Sequence, residues 1–156
     1  PGSGLGEGLP DGGVAGMKKD TTAYGAERPA WDKQDCSVRA LAVATGVPYA
    51  VASAVFSARG RKLKAGTPVT LSDDLFVNIL GMRRVELAEG LRLEAFLEVA
   101  KTGRFTVHKK GHAFAVVDGV VHDWEGTSKD STVLTRVYRV TEAARAKMAK
   151  MAELLA

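Results

Sequence analysis

The stretch GHAFAVVDGVVHDW, residues 111–124, constrains the fold more than any other part of the chain. Its Asp118-Gly119 pair lies between two apolar runs, which is the strongest short-range signal for a β-hairpin closed by a two-residue type I′ turn. With these two residues as the loop, Val117 faces Val120, and every pair farther from the turn follows by counting. The sequence therefore predicts both the hairpin and its register.

This register sorts the polar side chains of the hairpin between its two faces. Counting from the turn, Phe114 faces Asp123 and His112 faces Glu125. Because side chains alternate along a strand, His112 and Asp123 share one face as diagonal neighbours, whereas His122 points to the other face. Asp123 is therefore the predicted hydrogen-bond acceptor for one ring nitrogen of His112, and this bond would fix the tautomer of the ring.

Cys36 is the only cysteine among the 156 residues. It follows Asp35, a good helix N-cap residue, and it opens an apolar-periodic run that closes at Gly46, so we expect its sulfur in the first turn of a helix. The orphan N–H groups and the positive end of the helix dipole favour the nucleophilic thiolate there. A lone cysteine rules out an intrachain disulfide, which suits a reducing compartment.

The remaining pattern is mostly helical before residue 103 and strand-like after it. We expect further helices over 49–58, from Ser72 to Leu80, and over 93–101, with a short strand at 82–87. An antiparallel meander is predicted from strands at 104–108, 113–117, 120–124 and 133–140. Thr141 is predicted to cap a last helix whose apolar stripe consists of Met148, Met151, Ala152 and Leu155. This order predicts an α+β domain with N-terminal helices packed on a C-terminal antiparallel sheet, plus a C-terminal helix.

A cysteine at a helix start, then a histidine that begins a strand, then an acidic residue just before a tryptophan, together resemble the papain-like cysteine peptidase fold. The Asp35-Cys36 pair is similar to the bacteriocin-processing, double-glycine-cleaving branch. The run DCSVRALAVATGVPY with GHAFAVVDGVVHDW is also similar to small phage-encoded proteins of this fold. The resemblance covers roughly residues 30–140. It implies that Cys36 attacks a carbonyl, that His112 acts as general base and acid, and that Asp123 orients His112.

The chain departs from the papain-like pattern at the oxyanion hole. Papain-like enzymes supply a side-chain amide from a glutamine about half a dozen residues before the cysteine, where this chain has Ala30 and Trp31. Gln34 is the nearest glutamine and is therefore the candidate donor beside the Cys36 backbone N–H. Loss of one such donor typically lowers the rate about 100-fold or more, which describes a weak enzyme.

The predicted function is that of a cysteine peptidase, or a related thiol-dependent amide hydrolase, acting on a peptide or protein substrate. An acyltransferase or a deamidase would use the same residues. The alternative is a weak or inactive papain-like domain that serves as a binding or structural module, for example in a phage particle. A cysteine buried as a small hydrophobe is the purely structural interpretation of Cys36.

The sequence supports a metal site or a nucleic-acid site less well than it supports a hydrolase. His108, His112 and His122 together with Cys36 include zinc-binding residue types, but strand parity separates His122 from the others and no C-x-x-C pair is present. The net charge of +4 would attract nucleic acid or an acidic partner. No aromatic interleaving or helix-turn-helix signature accompanies this charge. We therefore expect no metal and no cofactor.

The N-terminal region differs in composition from the rest of the chain. Residues 1–16 contain seven of the 17 glycines and almost no large apolar side chains, so we expect a flexible arm before a single domain over 17–156. Met17 is a candidate natural start; alternatively, the arm is native and tethers the domain in a larger assembly. No apolar run approaches the ~20 residues of a membrane span and no signal peptide is recognisable, so we expect a cytoplasmic location, or the virion for a phage protein.

Overall fold

The computed structural model describes residues 17–22, 35–62 and 66–156, and these form a six-stranded sheet with five α-helices. The strands are β1 Lys18–Asp20, β2 Arg83–Arg84, β3 Arg104–Lys109, β4 His112–Val117, β5 Val120–His122 and β6 Arg136–Arg139. The helices are α1 Cys36–Thr45, α2 Tyr49–Ala58, α3 Val69–Asp73, α4 Leu93–Val99 and α5 Glu142–Leu155; α3 continues directly into a π-helical segment, Asp74–Ile79. The predicted α+β class is confirmed, whereas the predicted arm at 1–16 lies outside the described residues.

The predicted hairpin forms with the predicted register. Asp118 has φ 48° and Gly119 has φ 81°, so both loop residues adopt the left-handed conformation that a type I′ turn requires. Val117 pairs with Val120, and Ala115 pairs with His122. The Asp118 carboxylate also accepts a hydrogen bond from the Gly103 N–H at 2.9 Å, which ties the turn to the start of β3.

The order of the strands corrects the predicted four-stranded meander. The sheet runs β1-β5-β4-β3-β6-β2, and only β3, β4 and β5 form a meander. Strand β6 returns to pair antiparallel with β3, and β1, which the sequence pattern did not predict, pairs parallel with β5. A two-residue turn forces neighbouring strands to pair, but the long connection between β5 and β6 leaves the choice of edge to tertiary packing.

The core divides between the two faces of the sheet. On one face, Ala115 of β4 and Tyr138 of β6 pack with buried side chains of α1, α2, the π-helical segment and α5. On the other face, Phe114 and Val116 of β4 pack with Leu93 and Phe96 of α4. Helix α1 makes most of its sheet contacts with β4. This packing brings the beginning of α1 close to the beginning of β4.

Several predicted elements have different boundaries in the structure: the helix expected over 93–101 ends at Val99, and the strand expected over 133–140 is shortened to Arg136–Arg139. The helix expected to begin at Ser72 begins at Val69, after Pro68, and the Ser72 hydroxyl donates to the Val69 carbonyl at 3.1 Å instead of capping. Proline favours this start because its fixed φ suits a helix N-terminus and it lacks an N–H that would need a partner. The strand expected over 82–87 is reduced to Arg83–Arg84 at the sheet edge.

Helix α5 begins as predicted but buries less of its apolar stripe than predicted. The Thr141 hydroxyl accepts a hydrogen bond from the Ala144 N–H at 3.1 Å, which confirms the cap. Met148 is fully buried, whereas Met151 is 37% exposed and Leu155 is 55% exposed. Ala152 is partly buried against the same core, so Met148 and Ala152 confirm the predicted stripe, whereas Met151 and Leu155 extend past the buried residues. In the part of the chain that the structure describes, no helix has the length and apolarity to cross a membrane.

The Thr141 cap leads to a stability prediction. Thr141→Ala removes the acceptor for the Ala144 N–H and also the hydroxyl that donates to the Gly81 carbonyl at 2.9 Å. We expect urea unfolding to show a loss of about 1 kcal/mol in the free energy of unfolding. Thr141→Ser keeps the hydroxyl and serves as the control; an equal loss in both variants would contradict the capping role.

Candidate active site

The predicted nucleophile and the predicted base lie in one cavity. Cys36 is the first residue of α1 and is partly exposed, while His112 is the first residue of β4 and is buried. Both side chains line a cavity of about 340 Å³. The helix packs on the opposite face of β4 from Phe114, and its first turn reaches the end of the sheet where His112 lies. Two residues 76 positions apart in sequence are thus brought together at one end of the fold.

The predicted partner of the histidine is also in place. His112 Nε2 lies 2.8 Å from Asp123 Oδ1, and the Asp123 side chain is fully buried. The His112 ring stacks on the Phe114 ring with 6.1 Å between centroids, as expected for side chains on one face of the strand. Strand β5 ends at His122 instead of reaching Trp124, so Asp123 is the first residue beyond the ladder. The hairpin register therefore correctly identified the carboxylate beside His112.

Both oxygens of the Asp123 carboxylate accept hydrogen bonds. Its Oδ1 also accepts from the Glu125 N–H at 3.2 Å, and its Oδ2 accepts from the Ser128 N–H at 2.9 Å and from the Ser128 hydroxyl. The Asp123 N–H donates to the Asp20 carbonyl of β1 at 2.9 Å. Ser128 was missed by the sequence analysis, although an aspartate followed by a loop rich in serine and threonine is typical of side-chain to backbone turns.

The charges of this pair follow from these contacts. Burial alone would lower the pKa of His112, but the hydrogen bond to Asp123 and the adjacent Cys36 thiol outweigh burial and raise the pKa to about 9. Burial alone would raise the pKa of Asp123, but hydrogen bonds from His112 and Ser128 hold it well below its usual range. At neutral pH the pair is therefore an imidazolium and a carboxylate.

The second ring nitrogen of His112, Nδ1, is buried and is not used by the bond to Asp123. Within the described ranges, His112 Nδ1 completes no hydrogen bond of normal geometry. The nearest carboxylate oxygen is Glu125 Oε1, at 3.5 Å, on a side chain that is about half exposed. The Cys36 thiol contributes to the raised pKa of His112, which places it within interaction range of the ring. Resting active sites are often looser than working ones, so this arrangement suits a thiol and imidazole awaiting a substrate.

Asp35 does not act as the predicted N-cap. Helix α1 begins at Cys36 and ends at Gly46, whose φ of 77° and N–H bond to the Ala42 carbonyl confirm the predicted C-terminus. Asp35 has φ −102° and ψ 21°, which is not the extended conformation of a cap residue, and its side chain makes no cap hydrogen bond. Its Oδ2 instead accepts from the Tyr49 hydroxyl at 2.8 Å. The buried carboxylate therefore ties the start of α1 to the start of α2.

The other candidate residues lie elsewhere. His122 points to the opposite face, as predicted, and its Nδ1 lies 3.3 Å from Asp20 Oδ2. Gln34, the candidate oxyanion donor, lies outside the described residues. No group of three or more His, Cys, Asp or Glu side chains that could hold a metal ion occurs in the segments that the structure describes.

Arg39 and Trp124 stack beside the site. The sequence analysis used Trp124 only as part of the resemblance and did not single out Arg39. The Arg39 guanidinium lies over the Trp124 ring at 4.9 Å from its centroid. Arg39 lies one turn after Cys36 on α1, and Trp124 directly follows Asp123. Their stacking links the helix that carries the thiol to the loop that carries the carboxylate. The i+3 spacing from the cysteine was the only signal in the sequence that could have suggested this role.

No protein-family model, curated protein or solved structure matches this chain.

The charge state of the pair can be measured by titrating the histidine rings by NMR. We expect the His112 ring to titrate with a pKa of about 9. We expect Asp123→Asn to lower this pKa, because an amide accepts a hydrogen bond without stabilising the positive ring. His122→Gln is the control and should leave the His112 titration unchanged. A His112 pKa that does not respond to Asp123→Asn would contradict the pairing.

The same shift predicts how stability depends on pH. The pKa of His112 is raised from 6.5 to about 9 on folding, so the stabilisation from its protonated form is complete below about pH 6.5 and is lost as the pH rises through about 9. The difference in unfolding free energy between wild type and His112→Gln should therefore shrink between these pH values. A difference that grows with pH would contradict this sign.

Proposed function

We propose that this protein is a cysteine peptidase, or a closely related thiol-dependent amide hydrolase, with a papain-like fold. In this proposal Cys36 is the nucleophile, His112 is the general acid and base, and Asp123 orients His112. The observation that carries the proposal is the 2.8 Å bond between His112 Nε2 and a fully buried Asp123, at a histidine that lines the same cavity as Cys36. A buried, hydrogen-bonded carboxylate behind a histidine is the arrangement that a thiol nucleophile needs.

The proposed reaction follows from the protonation of these groups. The Cys36 thiolate attacks the substrate carbonyl carbon, and the His112 imidazolium then gives its Nδ1 proton to the departing amine as the C–N bond breaks. His112, now neutral, takes a proton from water as the water oxygen attacks the thioester. The thiolate leaves, which restores Cys36, and the acid product is released. Asp123 remains charged throughout and stabilises the imidazolium in the resting enzyme.

The chain order supports a papain-like fold for this chemistry. The cysteine lies at the beginning of a helix packed on the sheet, the histidine begins a later strand, and the carboxylate follows the next strand. The backbone N–H of Cys36 lies at the N-terminus of α1 and is one candidate oxyanion donor. With a single assigned donor, we expect slow turnover. If the thiol proves unreactive, the alternative is that the protein is a papain-like binding module, for example a component of a phage particle.

The reactivity of Cys36 tests the nucleophile directly. Iodoacetamide reacts with the thiolate form of a cysteine, and a neighbouring imidazolium stabilises that form. We expect iodoacetamide to alkylate Cys36 in the wild type at least about tenfold faster than in His112→Ala at pH 7. His122→Ala removes a histidine from the opposite face and should react at the wild-type rate. Equal rates in wild type and His112→Ala would refute the pairing.

Turnover of a peptide library separates the two candidate partners of His112. Asp123→Asn should lower kcat/KM by about 100-fold or more, because the amide lacks the charge that stabilises the imidazolium. His122→Ala should leave activity nearly intact, and Cys36→Ala supplies the blank. A strong loss in His122→Ala with no loss in Asp123→Asn would mean that the assigned triad is wrong. A reactive thiol without peptide cleavage would instead favour an acyltransferase or a deamidase.

A further inference from the structure

His108 is a buried polar residue that the proposed reaction does not use. It lies on β3, is only 3% exposed, and lines the same cavity as Cys36 and His112. Its ring packs against Phe76 and Tyr138, with 6.2 and 5.5 Å between ring centroids. The ring is therefore fixed in position at the wall of the cavity.

The neighbouring arginine determines which nitrogen of His108 carries the proton. Arg136 Nη2 lies 3.2 Å from His108 Nδ1, and a guanidinium can only donate, so Nδ1 is the acceptor. Burial and the Arg136 charge lower the pKa of His108 to about 3, so the ring is neutral at physiological pH. A neutral imidazole that accepts at Nδ1 carries its proton on Nε2. The Nε2–H is thus a hydrogen-bond donor.

The His108 Nε2–H has no hydrogen-bond acceptor among the residues that the structure describes. His108 Nε2 is buried and makes no hydrogen bond to residues 17–22, 35–62 or 66–156. The hydroxyl of Thr67, which lines the same cavity, is likewise buried without a partner in these segments. Buried polar groups are normally paired, and a donor left without an acceptor is costly. An acceptor brought by a ligand would remove this cost.

The charge beside this donor is positive. Arg136 also lines the cavity, and its other contacts are to the neutral hydroxyl groups of Tyr138 at 2.9 Å and Ser72 at 3.5 Å. No ion pair joins Arg136 to a carboxylate in the described part of the chain. The nearby Asp73 carboxylate already accepts from the Tyr138 hydroxyl at 2.7 Å and pairs with Arg84 at 3.1 Å.

We propose that the cavity beside Cys36 is a specificity subsite for a carboxylate-bearing side chain of the substrate, held by the His108 Nε2–H and the Arg136 guanidinium. Lys109 and Glu125 also line this cavity. Lys109 adds a second positive charge, and the acidic Glu125 side chain is about half exposed, with its Oε1 3.5 Å from His112 Nδ1. A substrate amide would satisfy the Nε2–H donor but would leave the guanidinium without a counter-charge. In this assignment His108 and Arg136 are positioning residues. The assignment rests on the proposed function, because that function makes the ligand a substrate that donates an acyl group to Cys36.

Binding tests the subsite without requiring catalysis. In the Cys36→Ser protein, N-acetyl-aspartyl methylamide should bind roughly tenfold more tightly than N-acetyl-asparaginyl methylamide and should shift the His108 ring signals in NMR spectra. Arg136→Gln should bring the two affinities close to equal. His108→Phe keeps the aromatic packing but removes the donor, and it should weaken binding of both ligands. Lys110→Gln, in the adjacent turn and not lining the cavity, is the matched charge control and should keep the preference.

Reactivity of the intact thiol provides a second readout. The chloromethyl ketone of N-acetyl-aspartate should alkylate Cys36 roughly tenfold faster than that of N-acetyl-asparagine. Arg136→Gln should abolish this ratio, and Lys110→Gln should keep it. Equal affinities and equal rates for the two ligands in the wild type would overturn the subsite, as would a preference that survives both Arg136→Gln and His108→Phe. Slow labelling of Cys36 by iodoacetamide in the wild type would instead overturn the proposed function. The binding measurement in the Cys36→Ser protein would still decide whether the subsite exists.

Discussion

The two-residue turn at Asp118-Gly119 is the constraint on which the candidate site depends. Both of its residues adopt positive φ angles, and this geometry sets the pairing between β4 and β5. A slip of one residue would exchange the two faces of β5 and would place His122 beside His112 in place of Asp123. The chemistry assigned to the site is therefore a consequence of local backbone conformation at the far end of the hairpin.

The buried ion pair is possible because the surrounding backbone satisfies it. A carboxylate with no exposure to solvent is costly unless its oxygens are hydrogen-bonded, and Asp123 accepts from His112, Glu125 and Ser128. The loop after β5 supplies two of these partners. The same loop carries Trp124, which stacks with Arg39 of α1. The polar network thus also connects the hairpin to the helix that carries the thiol.

Two histidines at one cavity have opposite protonation states for identifiable reasons. Both are buried, which disfavours the charged ring in each case. His112 has the Asp123 carboxylate behind it and is held protonated, whereas His108 has the Arg136 guanidinium behind it and is held neutral. The cavity therefore contains one charged and one neutral histidine; in the proposals above, His112 donates a proton in the reaction and His108 holds the substrate. Titratable groups whose environments push their pKa values apart are typical of functional sites.

The sequence by itself determined the local features: the helix that begins at Cys36 and ends at Gly46, the hairpin, and the side of β5 on which Asp123 lies. Each depends on interactions between residues close in sequence, such as a turn or a helix end. Tertiary structure alone decided that β6 pairs with β3, that β1 joins the sheet edge, and that Asp35 bonds Tyr49 instead of capping α1. It also decided that Arg136 lies beside His108 and sets the tautomer of its ring. These contacts join residues at least 14 positions apart in the chain, where the packing of distant side chains, and not local backbone geometry, selects the partner.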